Sequence, residues 1–378
     1  MEKFESRVIV SGLGLSETGR GLGRNGLDLA LDAALAAIAD AGLQPADIDG
    51  LASMPFGDRP PEELAAALGL KLDWMGGPSS GAQLGVMISA AMAIASGLCR
   101  HVLVYRSVHR LGGLLGSESG ALPAPEGLWE WHVPFHEYSA VNLFAMQARR
   151  HMHQFGTTKE QLGWIALTCR NHAELNDNAV LRSPMTMQDY LDAPVISEPL
   201  GRLDCDLPID GAVGLVLSAA DFAGDCPNPP VRIEAVGCAN HGTHGWEPRL
   251  DFPTMAAKDA GNQLWSRTDL QPTDVDVAEL YDGFSVLTLS WLEALQFCGE
   301  GEAGAFVDGG HRIRLGGELP LNTYGGQLSA GRLHGFWLFH EAVLQLRGQA
   351  GYRQVPDAEV AMTSAGGGFR CGCILLTR

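Results

Sequence analysis

Two clusters of polar and aromatic residues near the end of the sequence carry side chains that can exchange protons. Residues 279–285 read Glu-Leu-Tyr-Asp-Gly-Phe-Ser, and residues 321–335 contain a second tyrosine and a histidine. Each cluster follows a short apolar run and precedes a segment with helical apolar periodicity. Backbone N–H groups are free at such strand-to-helix junctions, where α/β folds keep anions and reacting groups. If the two segments pack side by side, Tyr281, Tyr324 and His334 converge.

Each of these residues also has a structural interpretation. Tyr324 lies among small and polar residues, where an aromatic ring fills space poorly, and this favours a function. Tyr281 follows the apolar run 277–280 and is either functional or a core residue with a satisfied hydroxyl. Asp282 either orients a tyrosine or caps the following helix. The Leu-His-Gly setting of His334 favours a role near the site.

Composition excludes several classes of function. The chain has 378 residues, 46% of them hydrophobic, which fits a globular protein with a large buried core. Its net charge of −18 opposes binding to nucleic acid, because the phosphate backbone would be repelled. An anionic small substrate would need a locally basic or N–H-lined site.

Cysteine usage and apolar runs indicate a cytoplasmic protein. The 8 cysteines are scattered, without zinc spacing or a secreted disulfide pattern. The N-terminus has no signal-peptide core, and the apolar segment 84–95 is shorter than the ~20 residues that span a bilayer. We therefore expect no membrane association and no metal.

The order of elements positions the two clusters. Strand and helix patterns alternate at the start of the chain, which predicts a mostly parallel sheet with helices on both faces. The predicted strands are 7–13, 48–54 and 101–108, and the predicted helices are 27–43, 62–68 and 82–96.

The pattern breaks at about residues 111–201. A Gly- and Pro-rich stretch leads into helices predicted at 140–155 and 158–175 and a short one near Met187. Four aromatic residues stand at the entrance of this insertion: Trp129, Trp131, Phe135 and Tyr138. The insertion is either a lid over a bulky apolar ligand or an oligomer contact.

A second half begins at the strand 231–237 and resembles the first. Ser79-Ser80-Gly81 opens a helix in the first half, and Ser329-Ala330-Gly331 opens one in the second. This similarity suggests duplication, with the two helix starts meeting at the centre. The predicted domains are 1–230, which includes the insertion, and 231–378.

Over nearly its whole length the chain resembles the thiolase superfamily. It is most similar to the sterol-carrier-protein-X (lipid-transfer-protein) thiolases and their steroid side-chain aldolase relatives. The matching segments are 200–212, 279–285, 304–307, 321–326, 331–335 and 364–369. The resemblance implies two duplicated βαβαβαββ halves in a five-layer αβαβα arrangement with an inserted loop domain.

The chain departs from thiolases at all four catalytic positions. The nucleophilic cysteine falls on Pro78, and the histidine of the Gly-His-Pro motif falls on Arg332. The other histidine falls on Tyr281, and the second cysteine falls on Ser364. Claisen chemistry needs a thiolate that holds the acyl group and a base that generates it. The chain is therefore not a thiolase.

The steroid side-chain aldolases of the superfamily share these losses and carry tyrosines at the positions of Tyr281 and Tyr324. The resemblance implies a retro-aldol cleavage of a β-hydroxyacyl-CoA, such as a 17-hydroxysteroid side chain, into a ketone and propionyl-CoA. No covalent intermediate and no cofactor are needed beyond the CoA of the substrate. A phenol, which titrates near ~10, acts as a base only beside positive charge or hydrogen-bond donors.

The residues expected to take part divide into two sets. Tyr281, Tyr324 and His334 are expected to be catalytic, with Arg332 or His334 lowering the pKa of Tyr324. Residues expected to form the oxyanion site or line the substrate are Asn322, Ser364, Gly325, Gly326, Gly367 and Asp282. The order of the two tyrosines, base and acid, stays open.

The resemblance also implies partners. Related aldolases form complexes with a small protein built from an OB-fold and a zinc ribbon, so a homodimer core within a heterotetramer is expected. Two other functions stay open. The chain could be a catalytically silent acyl-CoA-binding scaffold, or a condensing enzyme working in the aldol direction.

Overall fold

The computed structural model describes residues 3–54, 60–77, 82–109, 126–127, 129–137, 139–241, 254 and 256–378. The strands are β1 Val8–Leu15, β2 Gly50–Ser53, β3 Trp74–Gly76, β4 His101–Val108, β5 Val195–Ser197, β6 Leu200–Gly201, β7 Gly211–Ala219, β8 Val231–Asn240, β9 Val277–Glu279, β10 Val360–Gly367 and β11 Arg370–Thr377. The helices are α1 Gly26–Asp40, α2 Pro61–Leu68, α3 Gly85–Ala95, α4 Trp129–His132, α5 Ala140–Phe155, α6 Lys159–Glu174, α7 Met187–Leu191, α8 Ala256–Trp265, α9 Ser285–Ala294, α10 Ala303–Val307 and α11 Phe336–Arg347.

The central sheet is mixed rather than mostly parallel, so that expectation was wrong. Its strand order is β3-β2-β4-β7-β1-β8-β11-β10-β9. Parallel pairing occurs near its two ends, between β2 and its neighbours and between β9 and β10. The middle strands β4, β7, β1, β8, β11 and β10 pair antiparallel. Hydrophobic periodicity identifies a strand but not its direction, which explains the error.

Two helices lie between the halves of the sheet. Helix α3 packs on β2, β4 and β7, and the turn just before it touches β10 and β11. Helix α11 packs on β9 and β10 and also reaches β1 and β7. Helix α1 covers the first half, and α8 covers β8 and β11. Both central helices are buried on nearly all sides, as expected for a helix enclosed by two sheet layers.

Glycines allow α1 to approach its strands closely. A Cβ on Gly12 would lie 2.1 Å from the Ala37 carbonyl oxygen, and a Cβ on Gly14 would lie 2.1 Å from that of Ala33. Any side chain at these positions would push the helix off the sheet.

The helix starts of the two halves meet at the centre, as predicted. A Cβ on Gly335, just before α11, would lie 3.8 Å from the Cβ of Gln83 in the turn before α3. The second helix begins at Phe336 rather than at Gly331, because residues 326–330 form a π-helical turn. Ser79, Ser80 and Gly81 lie outside the described residues, as does Pro78.

The insertion contains the helices predicted in it. Helix α5 spans Ala140–Phe155 and α6 spans Lys159–Glu174, followed by α7 at Met187–Leu191. Two of the entrance aromatics, Trp131 and Phe135, are 75% and 81% exposed. Tyr138 and the side chain of Trp129 lie outside the described residues. Exposed rings fit both a lid and an oligomer contact.

Candidate active site

The two polar segments lie side by side, as predicted. The Asn322 amide accepts a hydrogen bond from Leu280 N (2.7 Å) and donates one to Leu280 O (2.9 Å). Glu279 Oε1 accepts from the backbone N–H of Thr323 (3.0 Å) and from its hydroxyl (2.7 Å). These bonds fix the backbone that carries both Tyr281 and Tyr324.

Asp282 caps the π-helical turn. It is fully buried, and its carboxylate accepts from Gln327 N (3.0 Å) and Leu328 N (3.3 Å). A Cβ on Gly326 would lie 2.1 Å from that carboxylate, so only glycine fits there. The predicted cap of the following helix is therefore wrong, because Asp282 caps the turn 326–330 and α9 has no side-chain cap. π-Helical turns are uncommon and occur frequently at functional sites.

A pH-dependent stability follows from this burial. Desolvation raises the pKa of Asp282 to about 6, above the roughly 3.9 of an exposed aspartate. The native state therefore binds this proton more tightly than the unfolded chain, and stability falls as pH rises between about 4 and 6. Wild type should lose on the order of 2–3 kcal/mol of unfolding free energy through this group between pH 4 and pH 8, and Asp282→Asn, which cannot ionise, should lack this loss. Urea unfolding of both proteins at the two pH values measures the difference, and an equal pH dependence in the two would contradict this assignment.

Tyr281 presents a neutral phenol. Its backbone N–H donates to Ser364 Oγ (3.0 Å), and its hydroxyl oxygen accepts from Gln83 Nε2 (3.3 Å). Burial raises the pKa of Tyr281, and the charges of Asp206 and Asp282 raise it further. The phenol therefore stays protonated near neutral pH. Because Gln83 occupies an oxygen lone pair, the hydroxyl proton is available to a ligand.

Two arginines belong to the surroundings of this phenol: Arg106 acts on it electrostatically, and Arg332 pairs with Asp206, whose charge also acts on it. Arg106 donates to the Met54 carbonyl (2.8 Å) and lies 3.4 Å from His334 Nδ1. Arg332 pairs with Asp206 at 3.1 Å, with both side chains largely buried. Since guanidinium is only a donor, the contact with Arg106 requires an unprotonated Nδ1 on His334.

Sequence reasoning missed Gln83, Arg106 and Asp206. Arg106 carried a usable signal, because it is a charged residue within the apolar strand 101–108. Val102 and Val104 share the core cluster of α3, so alternation directs Arg106 to the same central layer. Gln83 and Asp206 showed no comparable signal.

Tyr324 is enclosed more completely. Its ring packs on Trp337 at a centroid distance of 5.1 Å, and its buried hydroxyl has no hydrogen-bond partner among the described residues. Burial raises the pKa of Tyr324 well above its usual value, and Asp282 and Glu279 add to the shift. The expected lowering of that pKa by Arg332 or His334 was therefore wrong. Tyr324 is a neutral donor in this environment.

Several residues predicted to form the oxyanion site or line the substrate make contacts within the protein. The Asn322 amide is committed to Leu280, and the Ser364 hydroxyl accepts from Tyr281 N. A Cβ on Gly367 would lie 2.4 Å from Leu287 Cδ2, so Gly367 allows close packing. Gly325 has φ 109°, in the region that favours glycine. These contacts disfavour a direct oxyanion role for the Asn322 side chain, whereas the Ser364 hydroxyl accepts from Tyr281 N and keeps its proton for a ligand.

A buried charge cluster holds the loop before Tyr324. Glu341, which is fully buried, accepts from Arg353 Nη2 (2.9 Å), Arg353 Nε (3.0 Å) and the Thr323 hydroxyl (3.0 Å). Glu279 binds the same threonine. Burial and the neighbouring Glu341 raise the pKa of Glu279 well above its usual value.

Removal of Arg353 should therefore destabilise the protein strongly. Arg353→Met would leave Glu341 buried without its cation, which typically costs about 3–5 kcal/mol of unfolding free energy. Arg312 is the matched control, since its pair with Glu318 (2.6 Å) is about half exposed. Arg312→Met should cost less than about 1 kcal/mol. Urea unfolding of both variants measures the difference, and equal losses would contradict the assignment.

The Cys169 thiol, which lies beside the Asp282 carboxylate, is unreactive. Cys169 Sγ lies 3.6 Å from Asp282 Oδ2, and burial raises its pKa well above the usual value. A thiol held protonated is a poor nucleophile. No group of His, Cys, Asp and Glu in the described part of the chain could hold a metal ion. Within the same residues, no helix has both the length and the apolar character to cross a bilayer.

Comparison with known proteins gives consistent results. The family described as thiolase C-terminal domain-like matches residues 238–374. The steroid side-chain-cleaving aldolase of Thermomonospora curvata is 35% identical, over 100% of this chain and 99% of its own length. The 17-hydroxy-3-oxo-4-pregnene-20-carboxyl-CoA lyase of Mycobacterium tuberculosis is also 35% identical, over 99% of this chain and 100% of its own.

Solved structures agree on the fold. The Ltp2-ChsH2(DUF35) aldolase superposes with a TM-score of 0.91 at 34% identity and covers 98% of each chain. Solved thiolases superpose at much lower identity, which is similarity of fold alone. The predicted thiolase fold is thereby confirmed.

Proposed function

This chain belongs to the thiolase superfamily, in the group of the steroid side-chain-cleaving aldolases, and is a carbon–carbon lyase; on that premise we propose its substrate and its acid–base groups. The proposed substrate is a steroid side-chain CoA thioester with a tertiary hydroxyl at carbon 17. Retro-aldol cleavage between carbons 17 and 20 would release a 17-ketone and propionyl-CoA.

The observation that carries the proposal is the environment of Tyr281. According to the family resemblance, thiolases have a histidine at this position. In this chain a neutral phenol, bonded to Gln83, occupies it. A protonated, desolvated phenol suits proton donation to an enolate and does not suit activation of a thiol. This chemistry requires no thiolate, in agreement with the unreactive Cys169.

Asp206 is the proposed acceptor of the substrate's hydroxyl proton. Its charge acts on Tyr281, and it is paired with Arg332 at 3.1 Å. Once the proton has moved to Asp206, the alkoxide electron pair forms the ketone. The carbon–carbon bond breaks and its electrons form the thioester enolate. Tyr281 then protonates the enolate carbon, and the proton on Asp206 restores the phenol.

The hydroxyl of Tyr324, which has no hydrogen-bond partner among the described residues, is the second proposed donor. A buried hydroxyl without a partner is costly, so a ligand oxygen is its expected partner. His334, held against Arg106, would position the groups around Tyr281. No separate cofactor is proposed, because the CoA of the substrate supplies the thioester that stabilises the carbanion.

The proposed assembly and location follow the relatives. The solved relative with 34% identity is described as containing Ltp2 and ChsH2(DUF35). We propose that this chain likewise works with a small separate subunit, built from an OB-fold and a zinc ribbon. The core would be a homodimer within a heterotetramer, and its place would be the cytoplasm.

The test is turnover of a defined thioester. The chain, co-expressed with such a subunit from its operon, is incubated with 17-hydroxy-3-oxo-4-pregnene-20-carboxyl-CoA. Ketone and propionyl-CoA, detected by mass spectrometry, are the expected products. Tight binding of the thioester without products would contradict the proposed substrate and would favour a different thioester or an acyl-CoA-binding role.

A further inference from the structure

Gln327 is held rigidly inside the π-helical turn 326–330. Its side chain is fully buried, and its backbone N–H donates to Asp282 at 3.0 Å. Its carbonyl accepts from Leu207 N at 2.8 Å. The main chain of this residue is therefore fixed from two sides, and the direction of its side chain is defined.

The side-chain amide of Gln327 has no hydrogen-bond partner among the described residues, at either its nitrogen or its oxygen. Leaving a buried polar group unsatisfied costs about 1–3 kcal/mol, so an unsatisfied group in a native protein calls for an explanation. Gln345 shows the structural alternative in the same fold. Its amide nitrogen donates to Thr323 Oγ1 (2.9 Å) and its oxygen accepts from Val355 N (2.8 Å).

The unsatisfied amide lies beside the Tyr281 phenol. It is close enough to favour ionisation of that hydroxyl, yet neither amide atom reaches hydrogen-bonding geometry with a described group. Gln83, which contacts the same phenol, also has a buried amide oxygen that bonds to none of the described residues. Two glutamines beside Tyr281 therefore carry unsatisfied polar atoms in the described part of the chain, which is the arrangement expected where a polar ligand completes the hydrogen bonding.

Building on the retro-aldol function proposed above, we infer that the Gln327 side-chain amide binds the thioester oxygen of the substrate and stabilises the enolate. When the bond between carbons 17 and 20 breaks, its electron pair moves into the enolate and negative charge grows on that oxygen. The amide N–H of Gln327 donates to the oxygen while the Tyr281 proton passes to the adjacent carbon. A fixed hydrogen-bond donor near an atom on which charge develops stabilises the transition state more than the bound substrate. Asn322, whose amide is committed to Leu280, cannot serve as this donor without losing those bonds.

The test compares Gln327→Met with Gln345→Met in the intact enzyme and its subunit complex. Loss of one oxyanion donor should lower kcat on the 17-hydroxysteroid thioester by about 10²–10³-fold and change KM little. The Tm of Gln327→Met should be unchanged or higher, because the amide forms no hydrogen bond with any residue that the structure describes. Gln345→Met should show the reverse pattern, with a lower Tm and a much smaller fall in kcat.

Two failures are distinguishable. If the wild-type complex does not cleave the thioester, the proposed function fails. If the wild type cleaves it and Gln327→Met keeps a kcat within threefold, the enolate-binding role of Gln327 is overturned. A fall in kcat accompanied by an equally large fall in Tm would overturn it as well, because that result indicates a structural residue.

Discussion

Tyr281→Phe should lower kcat on the 17-hydroxysteroid thioester by about 10²–10⁴-fold, the range typical of loss of a positioned general acid. The physical reason is that burial keeps this phenol protonated, while Gln83 occupies its oxygen and leaves the proton for the substrate. Phenylalanine retains the ring and its packing against the turn before α11. The substitution therefore removes one transferable proton and one hydrogen bond of 3.3 Å. Steady-state kinetics on the purified complex measures the effect.

Tyr190→Phe is the matched control. Tyr190 is a buried tyrosine of α7 whose hydroxyl donates to the Asp204 carboxylate. Its substitution should lower the Tm, because Asp204 loses a partner, while kcat stays within a few-fold. If Tyr281→Phe kept more than a tenth of the wild-type kcat, Tyr281 would not be the acid that protonates the enolate.

Tyr324→Phe should lower activity without lowering stability. The Tyr324 hydroxyl is fully buried and bonds to no residue in the described part of the chain, so its removal breaks no hydrogen bond seen there and relieves a desolvated dipole. The variant should unfold at the same or a higher temperature than wild type. Its kcat should fall by about 10²-fold or more, since a donor to the reacting oxygens is lost. Calorimetry and single-turnover kinetics on one preparation measure both quantities.

The reverse pattern for Tyr324 would be equally informative. A lower Tm with an unchanged kcat would mean that the hydroxyl bonds within the protein and that the ring on Trp337 serves packing alone. The position would then be a core residue, and the reaction would depend on Tyr281 without a second tyrosine.

Local pattern was sufficient to locate the site. The apolar run, polar cluster and helical segment, repeated at 279–297 and 321–346, predicted that two segments meet. The bonds of Asn322 and Glu279 confirm that they do. The π-helical turn was not predictable, because it depends on Gly326 meeting a carboxylate that lies 44 residues earlier in the chain.

The orientation of individual polar groups could not be predicted from the sequence. An asparagine three residues before a glycine pair is compatible with oxyanion binding, and the commitment of its amide to Leu280 appears only in three dimensions. The same holds for the charge around Tyr324, where acidic neighbours come from segments distant in sequence. Burial and pairing, rather than residue type, decide which groups remain for a ligand.

The most direct test of the retro-aldol account is cleavage of the thioester in D₂O without added free CoA. The account predicts propionyl-CoA with one deuterium at its α-carbon, because the enolate takes a single solvent-derived proton, and an enzyme of unchanged intact mass during turnover. A requirement for free CoA, or an acyl adduct on the protein, would contradict it and indicate thiolase chemistry.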